Sequence, residues 1–400
     1  MEAEVKRNTF LLLLIQALNV LGDDFFNIAI MWIIYADTES VMISGIAGVV
    51  WHLTDAIIAP IAGAIVDRSS KKKVMFVSNF LALLASVIIA INAFIFDGLP
   101  TWMALLSISI MNILSSFVLP ARKSIIANMV KIEDMQKVNG SLSTVELVTS
   151  IFSSSLGSFV LAFAGLATSV MFDSFSYLLV LICFLLFNWK VIEGKSVVDQ
   201  KKESSIIQEL KDGIVLIKES RILKAFCLFQ ILINLTSFTG TYCSALIYNN
   251  FGDHPEYLGI IESFATVAAV LGSILSAKNK VDGVKYYPVF IFFMGIFMAV
   301  FGLSSSLLLS IVTFSADYFL LYIGNALTTL KMQYIKKEYM GRISGFFMTI
   351  STISIPLTTI LAGILGETLS VEAIFVVSGV YFIFLSFVMD KIFKVIREER

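Results

Sequence analysis

Gln16, Asn19, Asp23 and Asn27 stand 3, 4 and 4 residues apart, a spacing that puts all four on one stripe of an α-helix. They interrupt an apolar run, LLLLIQALNVLGDDFFNIAIMWIIY, and Asp24 follows Asp23 about 100° further round. Amides and carboxylates offer oxygen to cations, and a carboxyl withdrawn from water keeps its proton more readily than one in solution. The chemistry on offer is therefore proton exchange and attraction of positive charge. A charged group at the centre of a bilayer-length helix costs about 2.5–3.5 kcal/mol. The stripe must therefore face protein or water, not lipid.

Six further ionisable side chains fall inside apolar runs: His52, Asp55, Glu146, Asp173, Glu262 and Asp317. With Asp23 and Asp24 they make seven acids, and the reading finds no Lys or Arg deep in any run to neutralise them. Each has a plain alternative. Asp24 suits a helix–helix contact, and His52 and Asp55, three apart, can satisfy each other or form a proton relay. Glu146 shares a stripe with Thr149, Ser153 and Gly157, where small residues signal close helix packing. Asp173 and Glu262 lie about six residues from the outer end of a span, within reach of water, which favours a structural role. Asp317 is near the middle of its span.

The elements that must position these groups are membrane helices. Of 400 residues, 58% are hydrophobic and 15% charged, with a mean hydropathy of +0.88, beyond what a soluble domain buries. Twelve runs are long enough to cross a bilayer: 9–35, 42–66, 74–96, 101–120, 138–163, 167–189, 223–249, 257–277, 286–303, 306–330, 342–365 and 371–390. All 29 Lys and Arg fall in the tails and in alternate loops on one side. The positive-inside rule then places both termini in the cytoplasm. The N-terminus leads into its span without a cleavage signature, and Cys183, Cys227 and Cys243 have no disulfide or ligand spacing.

The longest polar stretch, 190–222, separates an N-terminal six-helix bundle (1–189) from a C-terminal one (223–400). Ile206, Leu210, Ile214 and Ile217 within it share a face, which suits an interfacial helix or a helical tether. Gln230, Asn234, Ser237 and Thr241 in span seven repeat a polar stripe 214 positions after Gln16, Val20, Asp23 and Asn27. Paired stripes on equivalent first helices are what a pseudo-symmetric carrier needs. The aromatic load, 34 Phe, 12 Tyr and 4 Trp, reads mostly as lipid-facing and packing surface. No phosphate loop, metal spacing or nucleophile elbow is found, so no enzyme, metal or cofactor is expected.

Between spans two and three stands Gly63-Ala-Ile-Val-Asp67-Arg68-Ser-Ser-Lys71-Lys72-Lys73. It resembles the loop signature of the major facilitator superfamily, Gly-x-x-x-Asp-Arg-x-Gly-Arg-[Lys/Arg], with Ser70 in place of the second glycine. The resemblance implies a cytoplasmic latch in which Gly63 lets helices approach and Asp67, Arg68, Lys71 and Lys72 meet the start of span eleven at Gly341-Arg342. A basic loop that only fixes topology explains the lysines but not Gly63 and Asp67.

Gly22-Asp23, Pro120-Ala121-Arg122, Asp173-Ser174-Phe175-Ser176 and Gly341-Arg342 occur in order and look like the drug-exporter branch with macrolide-efflux and enterobactin-exporter proteins, from Phe10 to about Asp390. The resemblance implies a twelve-helix major facilitator fold of two pseudo-symmetric bundles, with a cavity lined by spans one, four, seven and ten. It also implies proton-coupled export, by alternating access, of a small amphipathic compound such as a macrolide, peptide or siderophore, cationic or zwitterionic in its polar part. Two departures stand out. Span four has Met111 and Asn112 but no charge where many such antiporters have Arg, and Phe152-Ser-Ser-Ser-Leu-Gly157 lacks the proline of the usual span-five motif. A carrier of lysophospholipid without proton coupling is the alternative, and a membrane immunity or sensor protein a more distant one. The expected coupling ion is a proton, with sodium the other option. The expected setting is the bacterial plasma membrane, as a monomer, with membrane lipid and no nucleic acid as partner.

Overall fold

A computed structural model of the chain describes residues 2–96, 98–130, 132–189, 220–279, 283–323 and 340–398. All regular structure among them is helical. The helices are α1 (Glu2–Thr38), α2 (Val41–Arg68), α3 (Lys71–Ile95), α4 (Thr101–Ser115), α5 (Val118–Met129) and α6 (Ile132–Leu186). There follow α7 (Arg221–Asn234), a 3-10 turn (Ser237–Gly240), α8 (Cys243–Phe251) and α9 (Pro255–Asn279). The last four are α10 (Gly283–Leu303), α11 (Leu307–Ile323), α12 (Met340–Thr368) and α13 (Val371–Glu398). Among the described residues, nine helical stretches are long and apolar enough to cross a membrane. Backbone groups in hydrocarbon must be paired within the segment, which helices achieve without a partner strand.

The gap between the fifth and sixth spans, Ala164-Gly165-Leu166, is a tight turn within α6. Gly165 adopts φ 77 and ψ 175, a backbone region closed to residues with a Cβ. It divides α6 into the fifth and sixth spans. The interfacial helix expected in the 190–222 linker lies outside the described residues as far as 219.

Two spans differ from their sequence-based outlines. The fourth does not stop at Pro120: an apolar helical stretch runs over Thr101–Met129, with a short break between α4 and α5. Pro120 is the third residue of α5, in a first turn whose N–H groups have no intrahelical acceptor, so proline is tolerated there. The seventh span, expected to be continuous, breaks after Asn234. There Thr236 Oγ1 donates to the carbonyl of Ile233 and Thr239 Oγ1 to that of Thr236, hydroxyls that compete with the helical ladder. The stripe Gln230, Asn234, Ser237, Thr241 therefore does not run along one helix.

The chain divides into two compact units. One comprises Met1–Glu39, Val50–Gln200 and Asp253–Ser263; the other comprises Ser40–Val49, Lys201–Gly252 and Phe264–Arg400. The first residues of α2 thus group with the second unit, and those of α9 with the first.

In the first unit α1 packs chiefly on α6. Leu11, Leu12 and Ile15 join Met75, Ile125, Ile126, Phe184 and Trp189 in one buried cluster. Gly22 is a point of close approach in that packing: a Cβ there would collide with Ser176 Oγ and lie 2.8 Å from Asp173 Oδ1. In the second unit α10 and α13 cross at Gly295 and Gly379, where a Cβ on either would lie 2.5 Å from the other's carbonyl oxygen. Small residues allow such approach where lipid provides no hydrophobic drive between helices. Phe301 reinforces the crossing, its ring 4.7 Å from Phe314 and 5.7 Å from Phe375.

Candidate functional site

Most of the α1 stripe lines two cavities in the first unit. One, of about 310 Å3, is bounded by Gln16, Asn19, Asp23, Asn79, Arg122, Glu146 and Tyr177 among others. The second, of about 260 Å3, is bounded by Asp23, Asp24, Asn27, Trp51, Asn112, Glu146 and Ser150 among others. Asp23 and Glu146 serve both. Gln16, Asn19, Asp23, Asn27 and Glu146, each singled out from the sequence, are among the residues that line one or both of these cavities.

Each acid has its own support. The hydroxyl of Tyr177, on the later part of α6, donates to Asp23 Oδ1 at 2.9 Å. Asp24 Oδ2 accepts from Ser150 Oγ at 3.1 Å and, more closely, from Ser153 Oγ. Those serines are one turn apart on α6, so both face the same way. Gln16 Nε2 donates to Glu146 Oε2 at 3.3 Å. Glu262, in α9, lies within electrostatic reach of Asp24.

Two expectations are corrected here. The intramembrane acids are not without a cation: Arg122 lines the larger cavity and is electrostatically coupled to Glu146. An outline of span four that ends at Pro120 places Arg122 in a loop. Asp173 does not reach water. It is 0% exposed, accepts from Ser86 Oγ at 2.7 Å and is coupled to Asp23. Its Oδ1 has no hydrogen-bond partner among the described residues. Tyr177, Ser150, Asn79 and Arg122 were not singled out as site residues. Only Arg122, beside Pro120 and Ala121 in a family-like motif, carried a sequence signal.

Other candidates sit elsewhere. Asp55 Oδ1 accepts from Ser116 Oγ at 3.1 Å, while His52 remains within its electrostatic reach. In the second unit Asp317 is 6% exposed, its Oδ1 has no hydrogen-bond partner among the described residues, and Tyr287 feels its charge. Gln230 Nε2 donates to Asn234 Oδ1 at 3.2 Å, along α7. Thr241 packs on the start of α2, where a Cβ at Gly48 would lie 2.5 Å from its Cγ2. The side chain of Ser237 is outside the described set.

The latch residues fare differently. A Cβ at Gly63 would meet no described atom within 4 Å; the start of span eleven, its expected partner, has nearly all its side chains outside the described set. Lys72 Nζ lies over the Trp189 ring, 5.8 Å from its centroid. Arg68 and Lys71 have interactions of their own. The side chains of Asp67 and Arg342 are outside the described set.

Comparison with known proteins identifies the family. The Major Facilitator Superfamily model matches residues 12–359. The chain belongs to the major facilitator superfamily. It is 23% identical over 383 residues to macrolide efflux protein A of Streptococcus pyogenes, covering 94% of both chains. It is 22% identical over 394 residues to the uncharacterised MFS-type transporter YvqJ of Bacillus subtilis, covering 94% of this chain and 90% of that one. Among solved structures it resembles a mutant of the nucleoside transporter NupG (TM-score 0.79, 13% identity, 96% of this chain and 99% of that). It also resembles a bacterial homologue of the lysosomal transporter Spinster in an inward-facing, unoccupied conformation (TM-score 0.77, 12% identity, 100% and 99%). These structural likenesses concern the fold. Membership makes the chain a multi-pass transporter of a bacterial plasma membrane rather than an enzyme.

Proposed function

We propose that this major facilitator transporter is an exporter that moves a small amphipathic compound outward by alternating access, driven by protons entering through the acids beside α1. The observation that carries the reading is the meeting of Asp23, Asp24 and Glu146 in the walls of two cavities with one cation, Arg122, among their lining residues. Carboxylates outnumber cations there, which favours a cargo with positive charge. Trp51 and Phe26 supply apolar surface for its body. Similarity to macrolide efflux protein A over 94% of the chain supports export of a compound of that kind; peptides and siderophores share the amphipathic character.

In this cycle protonation of Asp23 and Asp24 from outside removes the attraction for a cationic cargo and favours its release. Loss of those protons to the cytoplasm restores the attraction. Arg122 offsets the charge of Glu146, with which it interacts electrostatically.

The test uses purified protein in liposomes with an internal pH dye and an imposed pH gradient. Cationic macrolides, amphipathic dyes, peptides and lysolipids are offered one at a time. Proton movement that requires cargo, and that disappears in Asp23→Asn, is the expected result. Cargo movement without proton flux would sink the coupling.

One observation favours a lipid cargo as the second reading. The second unit has an apolar hollow of about 250 Å3 lined by Leu235, Phe238, Leu361, Leu365, Val377 and Tyr381, among others. Lysolipid movement indifferent to the pH gradient would decide for it.

A further inference from the structure

Two side chains that line the larger cavity of the first unit carry an oxygen with no hydrogen-bond partner among the described residues. Asn79, on α3, is 1% exposed, and Asn19, on α1, is 9% exposed. The Oδ1 atom of each is buried without a hydrogen-bond partner. Buried polar atoms are nearly always paired, so two orphans in the wall of one cavity need a cause. The amide of Asn79 is oriented by its nitrogen, which donates to the carbonyl of Met75 at 2.7 Å; the oxygen is the end left over. Both asparagines line the cavity with Asp23, whose Oδ1 is taken by Tyr177 and whose Oδ2 has no bond to a described residue.

The neighbouring charges do not account for this set. Arg122 is coupled to Glu146, and Asp24 is held by Ser150 and Ser153. Three oxygens therefore remain, two neutral and one on a carboxylate, with a total charge of −1. Hard cations take oxygen ligands, and divalent ions commonly draw more than one carboxylate. No cluster of three or more His, Cys, Asp or Glu suited to a metal occurs among the described residues. A single positive charge matches the set. A sodium ion would bind the three oxygens and complete its shell with water, and a primary ammonium would direct its three N–H donors at them.

We propose that Asn19, Asn79 and Asp23 form a seat for one small monovalent cation, taken either as an alkali ion or as the ammonium group of the cargo. The assignment rests on the transport reading only in the second case, and it deepens that reading by naming where the positive charge sits.

The test is equilibrium binding to the purified full-length protein in detergent, with no gradient. Tryptophan fluorescence is followed as choline chloride is replaced at constant ionic strength by sodium chloride or, separately, by methylammonium chloride. A saturable response to either, weakened about tenfold or more in Asn79→Leu and in Asn19→Leu, is expected, since a lost ion–oxygen contact of about 1.4 kcal/mol is a tenfold change. A sodium response alone identifies an alkali-ion seat, and a methylammonium response alone a seat for the amine of the cargo. Asn79→Asp keeps an oxygen and adds charge, so it tightens binding even if the leucine variants fail to fold. The seat is overturned if neither cation differs from choline, if the leucine variants bind as the parent does, or if Asn79→Asp does not tighten binding. Because no transport is measured, failure of proton-driven export in liposomes and failure of this seat are separate results.

Discussion

Tyr177 reaches Asp23 from 154 positions further along the chain, its hydroxyl donating to Oδ1 at 2.9 Å. The bond ties the acid at the centre of the α1 stripe to the sixth span, next to buried Asp173, which is coupled to both. Movement of α1 against α6 would change the surroundings of Asp23, which gives a conformational cycle a handle on its proton.

Tyr177→Phe keeps the ring and removes only the donor. A hydrogen bond to a charged group contributes about 1.5–3 kcal/mol, so proton-coupled export should fall roughly ten- to hundredfold. Melting temperature should move little by comparison. Export at the parent rate in the liposome assay would show that the Tyr177 bond is packing alone.

Gly22 is what allows this approach. An added Cβ collides with Ser176 Oγ, which is held by its own bond to the carbonyl of Asp173 at 2.8 Å. Overpacking of this kind costs about 1–3 kcal/mol, so Gly22→Ala should lower thermal stability in detergent. Since the nearest obstacle is one side chain, Gly22→Ala with Ser176→Gly should recover most of the loss. If it does not, the obstruction is Asp173 Oδ1, 2.8 Å from the added Cβ, rather than Ser176.

Much of this site could be seen in the sequence because its residues repeat at helical spacing within one apolar run. Gln16, Asn19, Asp23 and Asn27 had to share a face, and their polarity made that face an interior one. Tyr177 and Ser150 carried no such mark, since a tyrosine or serine in a membrane helix usually satisfies itself locally; their partners are set by how α6 lies on α1. Arg122 was hidden by a boundary rule. Proline generally ends a helix, but at the first turn of α5 it begins one. The break in the seventh span was missed for a related reason, because its threonines fit a helical stripe as well as they fit a broken one.

Arg122 and Glu146 are expected to depend on each other. Glu146→Gln removes the counter-charge of a half-buried guanidinium, and Arg122→Gln removes the balance of Glu146. Each single change should destabilise the protein only modestly, by about 0.2–1 kcal/mol, because Glu146 is exposed and solvent screens its attraction for the guanidinium. The double change should be closer to the parent in melting temperature than the sum of the two, while cargo-dependent proton flux stays low. Additive losses in stability would mean the two charges act independently.

Glu367 offers a pH-dependent test outside the spans. The Ser40 hydroxyl and the Met42 backbone N–H both donate to its Oε1, at 2.5 and 3.0 Å. These bonds favour the ionised form and hold the carboxyl below its ordinary value of 4.5. A depressed folded-state value means the contribution is fully present above 4.5 and is lost as pH falls through the lower, folded-state value. Glu367→Ala should therefore lower the melting temperature modestly at pH 7, and the gap to the parent should close as pH drops below 4.5. The carboxylate is largely exposed, so screening limits the effect and added salt should shrink it further. A gap that stays constant with pH would mean that Glu367 acts through its packing, and that the donors at Ser40 and Met42 do not depend on its charge.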